Sequence, residues 1–186
     1  MSALRQAGPT VAAELAAVLA RVDEDQFVAA ADLIDEAKRV FVLGVGREGL
    51  AGRAFAMRLM HIGFEVHWGW DDTTPAVTPG DVLVLVNGSG RIGHLDYVFR
   101  LAMAAGAQSL VVTADPNAPT PRAANATLVV PATVYRGEGD LVPSIQPMGS
   151  LFEQATGVVF DLLVLELVER RGLAFTDLAA RHRNFE

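Results

Sequence analysis

Val40-Phe41-Val42-Leu43-Gly44-Val45-Gly46-Arg47-Glu48-Gly49 decides the fold. Its first residues form an unbroken apolar run, and unbroken rather than alternating apolarity marks a strand covered on both faces. Its second half is a glycine turn leading into a helical pattern over 47–62. The same sequence of events recurs downstream. Val82–Val86, Leu110–Thr113 and Leu128–Val130 are further apolar runs, with a weaker one at Phe64–Trp68. Helical stretches at 92–106 and 118–124 separate most of them. Strands alternating with helices predict an α/β protein of three layers, a five-stranded parallel sheet flanked by helices, with right-handed crossovers.

The flanks read as helices. Val18, Val22, Phe27, Ala31 and Ile34 recur at three-to-four spacing within 8–22 and 25–38, the pattern of amphipathic helices. A long apolar helix over 149–172 ends at Arg170-Arg171-Gly172, a cationic last turn followed by a glycine suited to the C′ position. A chain of 186 residues, 51% hydrophobic, builds one substantial core, so residues 1–186 are expected to form a single domain. Its parts are N-terminal helices (8–38), a sheet core (39–132) and a C-terminal helix with a tail (147–186).

The balance of 15 Lys+Arg against 22 Asp+Glu, a net charge of −7, speaks against a nucleic-acid or membrane surface as partner. No cysteine is present, so thiol nucleophiles, disulfides and zinc-thiolate sites are excluded. The N-terminal residues show no signal-peptide pattern, and the apolar run Gly157–Val168 is short and broken by Asp161 and Glu166. A soluble, cytoplasmic protein is expected.

In a parallel α/β sheet, ligands sit beyond the carboxyl ends of the strands. That rule selects Gly44–Glu48, Asn87–Arg91 and the loop after Thr113. Gly44-x-Gly46-x-x-Gly49 matches the dinucleotide fingerprint in spacing, but no acidic residue ends the next strand, where His67-Trp68 stands. A plain tight turn satisfies the same glycines. Asn87-Gly88-Ser89-Gly90-Arg91 offers glycines, a hydroxyl and a cation, which is either an anion cradle or an ordinary strand-to-helix turn with Arg91 solvated. Glu153 opens the long C-terminal helix. It is either a solvated first-turn carboxylate or a base able to take a proton from a carbon beside a carbonyl. The four histidines, His61, His67, His94 and His182, show no HxH or HExxH spacing, so no zinc or iron site is expected.

Four segments together resemble the 6-phospho-3-hexuloisomerases, a branch of the sugar isomerase (SIS) domain family. They are Gly44-Val45-Gly46-Arg47, Phe55 through Phe64, Gln146-Pro147-Met148-Gly149-Ser150-Leu151-Phe152-Glu153-Gln154, and Arg181-His182 through Glu186. The resemblance implies an SIS fold and isomerisation of a small phosphorylated sugar, 3-hexulose 6-phosphate to fructose 6-phosphate, through a cis-enediol with no metal or organic cofactor. It implies Glu153 as base and His182 as acid or proton shuttle. His61 is a third candidate, orienting Glu153 or a sugar hydroxyl. Gly46, Arg47, Glu48, the Asn87–Arg91 loop and Gln146 are then substrate-binding residues. It further implies a homodimer or homotetramer in which the tail His182 completes a neighbour's site; exposed apolar residues on the two N-terminal helices are the expected contact surface.

The phosphate loop departs from the family's Ser-Gly-Ser-Gly-Glu-Thr. Asn87, Arg91 and Ile92 replace a serine, the glutamate and the threonine, and Glu48 replaces the serine after the Gly-x-Gly-Arg turn. Three readings follow: a phosphosugar pocket rebuilt around Arg91, an isomerase for a different sugar, or a non-catalytic sugar-phosphate sensor.

Overall fold

The computed structural model describes residues 2–136 and 139–184. Five strands form one parallel sheet: β1 (Val40–Leu43), β2 (Val66–Trp68), β3 (Val82–Val86), β4 (Gln108–Thr113) and β5 (Ala126–Val129). Their order is β2-β1-β3-β4-β5. The helices are α1 (Ala3–Leu19), α2 (Glu24–Asp35), α3 (Gly46–His61), α4 (Gly93–Ala104), α5 (Pro119–Arg122), α6 (Ser150–Arg170) and α7 (Phe175–Ala180).

Burial on both faces explains why the strands lack alternation. Val40, Val42, Val82, Val84, Val86, Leu110, Val112 and Leu128 join one core cluster with α2, α3 and α6. Phe41, Leu43, Leu83, Leu85 and Val111 point the other way, onto Leu95 and Phe99 of α4. Phe55 of α3 stacks on Phe160 of α6 with centroids 4.2 Å apart, fixing the two helices that bracket the cleft described below. Among the described residues, no helix is long and apolar enough to cross a membrane.

Polar contacts fix the strand starts and helix ends. Arg39, just before β1, reaches the buried Asp81, just before β3, through Nε at 2.9 Å and Nη2 at 2.6 Å. Asp81 also accepts from the Thr78 amide at 2.7 Å and the Thr78 hydroxyl at 3.0 Å. The cationic end of α6 binds the acidic end of α2, Arg170 on Asp32 and Arg171 on Asp35, and Gly172 takes φ +60° as the helix stops.

Two expectations are corrected. Helix α1 begins at Ala3, not at 8, and runs through Pro9 in turns largely exposed to solvent, where water can satisfy the carbonyl that the proline's missing amide leaves free. The C-terminal tail, expected to reach a neighbour's site, packs on its own domain as far as residue 182. It forms α7, Leu178 packs against the core, and Arg181 donates to the carbonyl of His61 at 3.3 Å. The tail motif's Phe185 and Glu186 lie outside the described residues.

Candidate active site

The chain direction across the sheet reverses between β1 and β3, which are neighbours although β2 lies between them in sequence. Loops leaving such neighbouring strands diverge to opposite sides, opening a crevice at their carboxyl ends. A cleft of about 630 Å³ lies there, walled by Gly46, Arg47 and Glu48 after β1, Ser89 and Arg91 after β3, and Phe152 and Glu153 of α6. That volume suits a small metabolite.

The glycine turn after β1 owes its spacing to packing. A methyl group built on Gly49 would stand 2.6 Å from the Gly44 carbonyl carbon, and one on Gly44 2.8 Å from the Gly49 Cα. Strand end and first helical turn are thus in backbone contact, which presents Arg47 and Glu48 to the cleft. Gly49→Ala is expected to destabilise the fold by about 1–3 kcal/mol. An unaltered urea midpoint would contradict so close an approach.

Three helix N-termini, of α3, α4 and α6, reach the cleft through Val45, Ile92 and Gly149, and none carries a side-chain cap. Away from the cleft, α2 is capped by Asp23, which accepts from the Gln26 amide at 2.9 Å, whereas α1 and α5 lack a side-chain cap too, so it is the convergence of three such ends on one cleft that matters. Uncapped first turns leave amides and positive dipole ends for a ligand, and they favour an anion.

Glu153 sits in the cleft, its carboxylate on Arg47 Nε at 2.5 Å. Arg47 is two-thirds exposed, so this pair adds at most about 1 kcal/mol to stability. Arg91 is bound to Asp115 at 2.9 Å, at the end of β4, the third loop selected from the sequence. Glu48 accepts from the Gly88 amide at 2.9 Å. Neither arginine is paired with it, since Arg47 is on Glu153 and Arg91 on Asp115. Burial instead pushes its carboxyl up to about 7, the Gly88 bond opposing and the Glu153 charge adding. Gly88 is obligatory beside it, since a methyl there would fall 2.8 Å from Glu48 Oε2 and 2.9 Å from the Phe152 ring.

Other sequence candidates stand elsewhere. Asn87 is fully buried beneath the loop, and neither of its amide atoms has a hydrogen-bond partner within the protein. Gln146 exchanges hydrogen bonds with Gln154 and reaches Glu14 rather than the cleft. His61 ends α3, fourteen residues beyond Arg47, which puts it about 20 Å away at 1.5 Å per residue. His182 stacks on it, ring centroids 5.2 Å apart. Within one chain, therefore, neither histidine meets Glu153.

The sequence reading missed Tyr135, Arg136 and Met148, all of which line the cleft. Arg136 and Met148 are the non-glycine residues with positive φ, 61° each, among those described. Strain of that kind concentrates at functional sites. Applying the strand-end rule to β5 as well would have reached Tyr135 and Arg136; nothing in residue type announces Met148.

A doubly wound domain with an anion-accepting cleft at its switch point is the class these features define. Residues 33–156 match the SIS domain family, and the chain belongs to it. It is 38% identical over 173 residues to the 3-hexulose-6-phosphate isomerase of Mycobacterium gastri, covering 93% of this chain and 86% of that one. With the Bacillus subtilis 3-hexulose-6-phosphate isomerase, identity is 32% over 171 residues, covering 92% and 91%. The crystal structure of a Methanococcus jannaschii protein, from which a 3-hexulose-6-phosphate isomerase function was inferred, superposes with a TM-score of 0.82 at 28% identity over 95% of this chain and 97% of that one.

Proposed function

We propose that this protein isomerises 3-hexulose 6-phosphate and fructose 6-phosphate. The observation that carries the reading is Glu153, a carboxylate placed in a cleft ringed by three uncapped helix N-termini. The amides and dipoles receive the phosphate, and Arg47 and Arg91 add positive charge. Glu153 removes the proton from the hydroxyl-bearing carbon, giving a cis-enediol, and returns it to the former carbonyl carbon. Donors aimed at the enediol oxygens lower the barrier. The substrate's phosphate competes with Glu153 for Arg47, so binding itself releases the base.

Transfer of the proton between the two oxygens falls to His182 of a second protomer. Supporting this, α3 spans the distance between the cleft and the His61–His182 pair. Its exposed side also carries an apolar stripe, Leu50, Met57 and Met60, beside Arg183. On the N-terminal helices, Leu4 and Val28 are the comparable exposed residues, a thinner surface than the one expected there. Two copies of α3 packed antiparallel about a two-fold axis bring the histidine end of each to the cleft end of the other.

Fructose 6-phosphate formation from 3-hexulose 6-phosphate, read by a coupled assay, tests the activity. Absence of turnover by the folded protein would leave a different sugar or a sensor role. Mixing inactive Glu153→Gln and His182→Ala chains tests the shared site. Random reassortment is expected to restore about a quarter of the sites in a closed dimer, and no recovery would return His182 to a structural role.

A further inference from the structure

Glu48 is the residue that the proposed reaction leaves unexplained. It stands where the loop after β1 and the loop after β3 approach each other, in the wall of a cleft built for an anion. An ionised carboxylate there would repel the ligand. Its two oxygens have different surroundings. Oε2 is held by the Gly88 amide, whereas Oε1 is shielded from solvent and has no hydrogen-bond partner within the protein. A charged oxygen in that position would be desolvated without compensation, while a protonated one merely lacks an acceptor. The missing acceptor is what a phosphoryl oxygen supplies.

We infer that Glu48 serves the site as a neutral carboxylic acid, donating its Oε1 hydrogen to the phosphoryl group of the substrate while Oε2 stays on the Gly88 amide. The inference rests on the phosphosugar reading given above and specifies how the anion is bound. The groups facing Glu48 agree with it. Arg47, on the same helix, is engaged with Glu153 of α6, and Arg91 is engaged with Asp115. Tyr135 and Arg136, from the segment after β5, complete the cleft wall. Burial, with the Glu153 charge adding, favours the protonated form up to about pH 7 against the opposing Gly88 hydrogen bond. Glu48 lines the cleft, and a phosphate reaches the shielded Oε1 by a local shift of the cleft wall. No covalent step is involved; the proton stays on Glu48 in the complex, and ligand binding holds it there.

Binding of fructose 6-phosphate between pH 7 and 9, measured by calorimetry in buffers of differing ionisation enthalpy, tests this without reference to turnover. Above pH 7 the phosphate monoester is already dianionic, so the ligand contributes little of its own titration. Kd for the unmodified chain is expected to weaken about tenfold per pH unit in the upper part of that range, with close to one proton taken up per site. Glu48→Gln keeps a donor that does not titrate. It is expected to bind with a Kd that is flat in pH and with no proton uptake. Glu48→Ala is expected to bind about tenfold more weakly than Glu48→Gln throughout. A pH-independent Kd in the unmodified chain, or Glu48→Gln binding no better than Glu48→Ala, overturns the role of Glu48 and leaves the phosphosugar reading standing. Failure of the unmodified chain to bind fructose 6-phosphate at any pH overturns both.

Discussion

Glu153→Gln is expected to lower the turnover of 3-hexulose 6-phosphate by about a thousandfold, within the 10²–10⁴ that a positioned base contributes. The amide keeps the shape of the side chain but cannot accept a proton from carbon. KM is expected to move far less, because in the proposed reaction the phosphate is held by helix amides and arginines rather than by Glu153. The fold is expected to survive, since the ion pair lost with Arg47 is largely solvent-exposed on the arginine side. Steady-state kinetics beside a far-UV spectrum and a melting curve separate these effects. Turnover within a few-fold of the unmodified enzyme removes Glu153 from the mechanism. The other carboxylate in the cleft, Glu48, would then be the first alternative to test as base.

The largest effect on stability is expected far from the cleft. Asp81→Ala strands Arg39, whose side chain is 14% exposed, without its carboxylate, and releases the turn that starts β3. Breaking a buried pair in this way costs about 3–5 kcal/mol. For a chain of this length the loss corresponds to a drop in Tm of roughly 10 °C. Burial pushes the Asp81 carboxyl upward, but the bonds from Arg39 and Thr78 outweigh it and hold the group below its ordinary value. Because the folded value lies below the unfolded one, its stabilisation is complete above about pH 4 and is lost as pH falls through the folded value. The gap in Tm between the two chains is therefore expected to be widest at neutral pH and to close in acid. A constant gap down to pH 3 would mean that Asp81 acts through packing rather than charge.

Glu48 titrates in the opposite sense. Its carboxyl is raised on folding, so the native state binds this proton more tightly than the unfolded chain does, and the contribution of Glu48 falls as pH rises from about 4.5 towards 7. In the absence of any ligand, Glu48→Gln is expected to be more stable than the parent at pH 8 and close to it at pH 5. Equal pH profiles of Tm would show that the carboxyl is hydrated rather than buried.

Much of this molecule was legible in its residues. Unbroken runs such as Val82–Val86 announce strands covered on both sides, because a strand buried twice has no polar face to alternate. Arg170-Arg171-Gly172 announces the end of α6, because the requirements of a helix C-terminus are local. The spacing of Gly44, Gly46 and Gly49 marks a close turn, and the strand-end rule selects the two loops, after β1 and after β3, that face each other across the cleft, with the third, after β4, reaching it only through the Asp115–Arg91 pair. The resemblance carried by Gln146–Gln154 singled out Glu153, and the family match agrees with that resemblance.

What the tertiary structure alone decided concerns pairings between distant segments. No pattern in the sequence says that Arg47 will sit on Glu153, 106 positions away, or that Arg91 will be taken by Asp115. Nor does it say that Glu48, left with neither cation, will have one oxygen on a loop amide and the other on nothing. The separation of His61 and His182 from Glu153 is of the same kind, since it follows from the length and direction of α3 once the sheet is laid down. Periodicity and capping are local, with energies set by a few neighbouring residues, so the chain displays them directly. The protonation and reach of a side chain depend on what the fold places against it from elsewhere, and that is fixed only when the layers close.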